Sequence, residues 1–399
     1  MPGIVPDEDP QASLRSWVMP NSSRNPAPAH ATLSSRELNR ATLERQFLLQ
    51  RRDTDALAAV EHLVGLQAQA PFSPYYQLWS RLAGFSTGEL ADLLLTRQVV
   101  RIVVMRGTIH LVSAPDCAML RPLTQIIMDR DLRANVLHAP SLADVDLDRL
   151  AALARPLLED QPRTNAELGA LLAEHWPGRG PSHLAHAARD LLPLVQVPPR
   201  GVWGRSGQPR LTTAESWLGR ELDPQPSPAT MVLRYLGAFG PATVADIQTW
   251  SGLTRLREVV EALRGELRSF RTEDGRELFD LPDAARPAPD VPAPPRFLPD
   301  FDNVLRSHAD RTRVISDTDR KRLATRNGVV PHALLVDGVV SGTWRITRSA
   351  GAATLTITPW RRFTSAERDA VADEAMRLLA FAAGDVHGHD VEFGAPADS

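Results

Sequence analysis

Three stretches of this chain repeat one plan, in which helical segments run into a short β hairpin, and a plan used three times limits the fold more than any single motif does. The clearest copy runs from Met231 to Leu281. Apolar spacing makes Met231 to Phe239 a first helix, Thr243 to Trp250 a second with a Thr-x-x-Asp capping start, and Thr254 to Leu267 a third. Ser269 to Leu281, with Glu-Asp-Gly at its centre, reads as a two-stranded wing. The second copy spans about Leu147 to Thr213. It has a helix ending at Leu158, a helix from Thr164 with Glu167 closing a capping box, a helix over Ser182 to Leu194, and a wing over Val195 to Leu211. The first copy is looser: helices Ser35 to Leu49, Thr54 to Gln67 and Thr87 to Arg97 lead into β-branched Val99 to Val112. This order is the layout of a winged helix-turn-helix.

The Pro- and Ala-rich run 282–299 reads as a stiff linker or a strap. Beyond it, alternating strands at Ala333 to Val336, Val339 to Ile346 and Ala353 to Pro359, then a helix Ser365 to Ala383, indicate a small β-rich unit. The expected fold class is α+β. Its divisions are a disordered leader 1–32, winged-helix units at 33–140, 141–225 and 226–281, the strap 282–299 and the β-rich domain 300–399.

Composition excludes several function classes. No apolar run among the 399 residues approaches membrane-spanning length, and the leader lacks a signal peptide's apolar core, so a cytoplasmic, nucleoid-associated monomer is expected. A net charge of -3 supplies no global basic field for nucleic acid, which leaves only local patches. The single cysteine, Cys117, rules out an internal disulfide and any multi-thiolate metal site, and its setting reads as packing. Every basic side chain is arginine except Lys321. Chemistry through a lysine Schiff base therefore has one side-chain candidate.

Gln67 and Gln69 stand out in Gly-Leu-Gln-Ala-Gln-Ala-Pro. Ala58, Val60, Leu63, Val64 and Leu66 follow helical spacing, and Pro71 pushes Ala70 toward extended geometry. In an extended segment, residues two apart point to one side, so both amides can converge on one target. Capping of the helix's last carbonyls, or plain solvation, is the bland alternative.

Four motifs then recur in order: Leu33-Ser-Ser-Arg-Glu-Leu-Asn-Arg, the Gly-Leu-Gln-Ala-Gln-Ala-Pro stretch, Met105-Arg-Gly-Thr-Ile-His110, and Phe301-Asp-Asn-Val-Leu-Arg-Ser-His-Ala-Asp-Arg311. From about Leu33 to Phe393 the chain resembles the winged-helix DNA-binding family of AlkZ-type DNA glycosylases, whose founding activity confers self-resistance to azinomycin, a DNA-crosslinking natural product. The resemblance implies three tandem winged helices with a C-terminal barrel-like domain. It also implies a catalytic Gln-x-Gln, matched here by Gln67 and Gln69; relatives carry His-x-Gln or Gln-x-Asp.

Two neutral amides suit one class of reaction. Most glycoside hydrolases need a carboxyl pair to protonate a poor leaving group while water or a nucleophile attacks. An N7-alkylated purine is already cationic and departs as a neutral base. The enzyme must expose the nucleotide, hold a water and stabilise charge developing on the sugar. The expected activity is thus a monofunctional DNA glycosylase acting on duplex DNA with cationic N7-alkylpurines, including bulky adducts or interstrand crosslinks, with no cofactor, no metal and no lyase step. The alternative is a non-catalytic winged-helix DNA-binding protein or transcriptional regulator.

Candidate DNA contacts follow from the resemblance and the wings: Arg106, His110, Arg200, Arg205, Arg210, Asn303, His308 and Arg311. Arg101 reads as an arginine that the turn and neighbouring acids need rather than a DNA contact. Arg255, Arg257 and Arg264 lie on a recognition-helix position, where they either reach phosphates or solvate the outer face. His308-x-Asp310 reads as a hydrogen-bonded structural pair rather than a metal site, and His387-Gly-His-Asp390 as a solvated terminus.

Overall fold

Val99-Val-Arg-Ile-Val103, rich in β-branched residues, becomes the middle strand of a five-stranded antiparallel sheet in the computed structural model, which describes residues 31–323 and 330–396. The leader therefore lies outside the described residues except for Ala31 and Thr32. The strands, in chain order, are β1 Thr32–Leu33, β2 Leu66–Gln67, β3 Val99–Val103, β4 Ile109–Ser113, β5 Leu194–Val197, β6 Arg210–Thr213, β7 Arg268–Thr272, β8 Glu277–Asp280, β9 Arg296–Leu298, β10 His332–Val336, β11 Val339–Ser349, β12 Ala352–Pro359 and β13 Gly388–Phe393.

The central sheet has the order β2-β4-β3-β5-β6. The hairpins of the first two copies are thus fused through Arg101↔Gln196 and Ile102↔Val195. The third hairpin, β7-β8, gains β1 as a parallel third strand. The expected helices form around these sheets, with capping boxes at Ser34/Glu37, Thr164/Glu167, Thr243/Asp246 and Thr364/Glu367. Ser or Thr accepts from the N3 amide while the N3 carboxylate reaches back, so two otherwise unpaired donors are satisfied together.

Residues beyond the strap build an open sheet of order β13-β12-β11-β10-β9. Strand β9 begins within the Pro- and Ala-rich stretch, whose earlier carbonyls at Ala285, Pro289 and Val291 accept from Arg45, Arg36 and Arg40. Helix Ser365–Ala382 packs on this sheet through Val371, Ala375, Leu378 and Leu379. Its core is continuous with Tyr75, Leu78 and Trp79 of helix Ser73–Arg81.

Three expectations change. The C-terminal sheet is open and does not close into a barrel. The stretch expected as a solvated terminus is largely exposed but ordered: β13 pairs in parallel with β12, and His389 Nε2 donates to the Ala383 carbonyl at 2.9 Å. The helix expected to reach Gln67 stops at Leu63, because Val64 and Gly65 both turn left-handed (φ 53° and 86°). A Cβ at Gly65 would lie 2.7 Å from Val112 Cγ1, so only glycine lets the chain pass this close to β4.

Candidate active site

The reversal at Val64-Gly65 delivers Gln67 into β2, opposite His110 of β4. The segment stays extended past the strand: the Ala68 amide donates to the Ile109 carbonyl at 2.8 Å. Gln67 is buried and Gln69 is exposed. Both side chains hydrogen-bond the same β hairpin. Arg106 Nη2 donates to Gln67 Oε1 at 2.8 Å, and the Ile109 amide donates to Gln69 Oε1 at 3.3 Å.

Arg106 organises this centre. It sits at φ 58° in the tight turn between β3 and β4, which throws its guanidinium back over Gln67. The same Nη2 meets His110 Nε2 at 3.2 Å, and Nη1 donates to the Trp250 carbonyl. Gly252 lets the third copy approach, since a Cβ there would stand 3.0 Å from the Arg106 backbone. Burial, with Arg306 and Arg311 nearby, brings the Arg106 guanidinium down to about 10, so it is still cationic at neutral pH. Arg306 and Arg311 are half-buried, and among the described residues none of the three arginines has a carboxylate partner. Excess positive charge therefore gathers beside Gln67 in a chain whose net charge is -3.

The Phe301-to-Arg311 motif clamps the site from below. Asp302 forms a fully buried, two-pronged ion pair with Arg81, both bonds at 2.8 Å. Asn303 follows, donating to the Gly65 carbonyl at 2.8 Å and accepting from the Gln67 amide at 3.4 Å. Gln77 Nε2 donates to the Gln67 carbonyl at 2.9 Å. Arg101, buried, donates to the Ala68 carbonyl at 2.8 Å, so it braces the turn that carries Gln69. Gln67 is thus held at its amide, its carbonyl and its side-chain oxygen.

Several expected DNA contacts face inward. Asn303 is 3% exposed and His308 1%, with His308 Nε2 donating to the Phe239 carbonyl at 3.0 Å. Asp310 pairs with Arg276 and Thr312, not with His308, which corrects the expected His-Asp hydrogen bond. His110 is also enclosed: Nδ1 donates to the Thr108 carbonyl at 3.0 Å, leaving Nε2 to accept from Arg106. Burial, then the Arg106 charge, pushes His110 down to about 3, so the ring is neutral at physiological pH. These side chains are buried and spent on hydrogen bonds within the protein.

The β5-β6 hairpin, expected as the second wing, is not a free finger. Its tip folds back, with Val202 buried and Trp203 packed against Phe72, Tyr75 and Tyr76. Tyr75 Oη locks it by donating to the Gly201 carbonyl and accepting from the Trp203 amide. Arg200 donates to the Gly207 carbonyl within the hairpin, Arg210 is neutralised by Glu167, and Arg205 is exposed at the tip. On the third copy Arg264 is paired with Glu261 and Glu277, while Arg255 and Arg257 are exposed. Cys117 is fully buried, and burial pushes its thiol up to about 12, which fits packing. The sequence reading missed Arg81, Gln77 and Arg306; only Arg306, inside the Phe301-to-Arg311 motif, carried a sequence signal.

Comparison with known proteins converges on one family. Residues 60–381 match the family described as DNA glycosylase AlkZ-like. An interstrand DNA cross-link repair glycosylase of Streptomyces sahachiroi is 26% identical over 328 residues, covering 76% of this chain and 85% of that protein. The solved structure of Streptomyces sahachiroi DNA glycosylase AlkZ superposes with a TM-score of 0.72 at 24% identity, covering 91% of this chain and all of that one, and shows that the fold is shared. The family match spans most of the chain, and the protein belongs to the AlkZ-like DNA glycosylases.

Proposed function

We propose that this DNA glycosylase hydrolyses the N-glycosidic bond of cationic N7-alkylated purines in duplex DNA, bulky adducts and crosslinks included, through Gln67 and Gln69. The observation that carries this is the triple fixation of Gln67 by Arg106, Asn303 and Gln77 beside an exposed Gln69. A glutamine held at its backbone N–H, its backbone carbonyl and its side-chain oxygen is pre-organised, and a neutral amide contributes through position alone.

The Gln67 oxygen has two lone pairs, one of which accepts from Arg106. The other accepts a hydrogen of the attacking water and directs its oxygen at the anomeric carbon. Gln69, oriented by the Ile109 amide, offers its oxygen dipole to the positive charge growing on the sugar. The purine leaves as a neutral base and needs no proton, and the proton the attacking water loses passes to solvent because a glutamine cannot take it. The neutral His110 and the absence of a buried lysine fit this division of labour, since Lys321 sits exposed on helix Asp317–Arg322.

Exposure of Gln69 suits lesions too large to enclose. The cavity of about 280 Å³ between Ser35 and the β7-β8 hairpin, lined by Glu273, Arg276 and Asp310, includes neither glutamine. Arg106, Arg306 and Arg311 supply a local anion site for phosphates around the lesion. Three tandem winged helices, with the exposed Arg205, Arg255 and Arg257, would contribute to the rest of the duplex footprint.

The deciding experiment compares release of N7-alkylguanine from duplex DNA by the wild type and by the Gln67→Ala, Gln69→Ala double variant. The expected result is a loss of about 100-fold or more for the variant, with no uracil released by either protein. Equal rates would move the reading to a DNA-binding regulator.

A further inference from the structure

Helix Ala114–Ala134 leaves the end of β4, and helix Pro181–Leu191 leads into β5, so these two helices set the geometry of the sheet that carries Gln67. Where they pack, His186 and Asp190 lie one turn apart on the second helix and face Asp131 of the first. His186 Nε2 is 2.8 Å from Asp131 Oδ2 and 3.3 Å from Asp190 Oδ2, and one ligand atom from each residue lies within 4.8 Å of the others. We propose that Asp131, His186 and Asp190 bind one divalent transition-metal ion of the zinc class, which staples these two helices together.

The 3.3 Å separation of His186 Nε2 and Asp190 Oδ2 fits such an ion, and the 2.8 Å hydrogen bond from His186 to Asp131 is the contact it would replace. At zinc's usual bond lengths of roughly 2.0–2.2 Å, ligand atoms around a tetrahedral centre stand about 3.4 Å apart. Asp190 supplies a second observation: it is 9% exposed, and its Oδ2 receives no hydrogen bond although it is aimed at the cluster. Such an orphaned carboxylate oxygen calls for a cation or a proton. The two carboxylates thus converge on the His186 ring from facing helices.

The neighbouring charges leave that position open. Arg121 and Arg189 are the cations near Asp190. Arg121, however, donates to the carbonyls of Asp190 and Leu192 and to the Gln125 amide oxygen. Asn135 Nδ2 reaches both Asp131 oxygens, at 3.2 and 3.1 Å, and orients that carboxylate as an outer-shell donor does. His138 stacks on the His186 ring at 3.9 Å, and its Nδ1 meets His183 Nδ1 at 2.9 Å. An imidazole in the set favours zinc-class ions over magnesium or calcium, and the fourth position goes to water. The ion's role is structural, bracing the sheet that presents Gln67.

The test uses the full chain, stripped with a chelator, dialysed and titrated with Co²⁺ and Zn²⁺ by calorimetry and by Co²⁺ visible absorption. One equivalent of Co²⁺ should bind with tetrahedral-type bands that Zn²⁺ bleaches, and Mg²⁺ should not compete. Asp190→Asn and His186→Gln should each weaken binding by at least about 10–100-fold, whereas His387→Ala should not. Asp131→Asn, at a half-exposed side chain, supplies a third variant if either buried change prevents folding. No stoichiometric binding by the wild type, binding unchanged by Asp190→Asn, or Mg²⁺ equal to Zn²⁺ would each overturn the proposal.

Discussion

Arg106 donates to the side-chain oxygen of Gln67 at 2.8 Å while the same guanidinium reaches the Trp250 carbonyl of the third copy. One side chain thus ties the candidate catalytic amide to a distant part of the chain. Because Arg106 is a pure donor, the Gln67 atom facing it must be the oxygen, and the amide's orientation is fixed by chemistry.

Replacing Arg106 should therefore damage rate more than folding. Arg106→Lys keeps the charge but cannot span Gln67, His110 and Trp250 with a planar fork. Single-turnover release of N7-methylguanine should fall about 100-fold, the scale of a misplaced reacting group, with an unchanged circular dichroism spectrum. A wild-type rate would show that Gln67 needs no orienting partner.

The Asp302-Asn303 step separates stability from positioning. Asp302→Ala leaves Arg81 charged and buried, and urea denaturation should report a loss of about 3–5 kcal/mol. Asn303→Ala strands the Gly65 carbonyl and the Gln67 amide, costing about 1–3 kcal/mol, and should also depress kcat. If Asn303→Ala turns over at the wild-type rate, the clamp matters only for stability.

The pH dependence has a definite sign. Burial holds His62 down at about 4 and His110 and His308 at about 3. Above roughly pH 6.5, the ordinary histidine value, folded and unfolded forms are alike in leaving these rings neutral. Below it the unfolded chain takes up protons that the folded rings refuse, so stability falls as pH drops from about 6.5 toward 3, by up to about 1.4 kcal/mol per unit for each ring. Chemical denaturation between pH 7 and 4 should show the decline, with a shallower slope in His110→Gln.

Catalysis should lack that dependence. Glutamine does not titrate and His110 stays neutral, so single-turnover rates on a preformed N7-alkylguanine substrate should be flat from about pH 6 to 9. An ionisation within that window that controls the rate would place a general acid or base in the mechanism and displace the amide pair.

Arg306 and Arg311 should act on DNA affinity. Each Arg→Ala change should weaken binding to lesion-containing and undamaged duplex alike and lower the salt slope by about one. A selective loss on the lesion alone would assign them to base recognition.

Local physical chemistry made the repeated helix-hairpin plan legible, since caps at Thr164 and Thr243 and the turn at Glu273-Asp-Gly275 act within a few residues of themselves. The α+β class and the two glutamines could be read in the same way. The end of the helix before Gln67 could not, because Val64 and Gly65 turn left-handed only to let the chain pass β4. Nor could the inward fates of Asn303, His308 and His110, whose polar atoms looked like DNA contacts until their partners, 236, 69 and 4 residues away, came into view. Fusion of two hairpins into one sheet, the open C-terminal sheet and the gathering of Arg106, Arg306 and Arg311 were likewise decided by packing. Periodicity and capping act between sequence neighbours, whereas the burial that sorts a polar side chain into clamp or contact is set by whatever the rest of the chain lays over it.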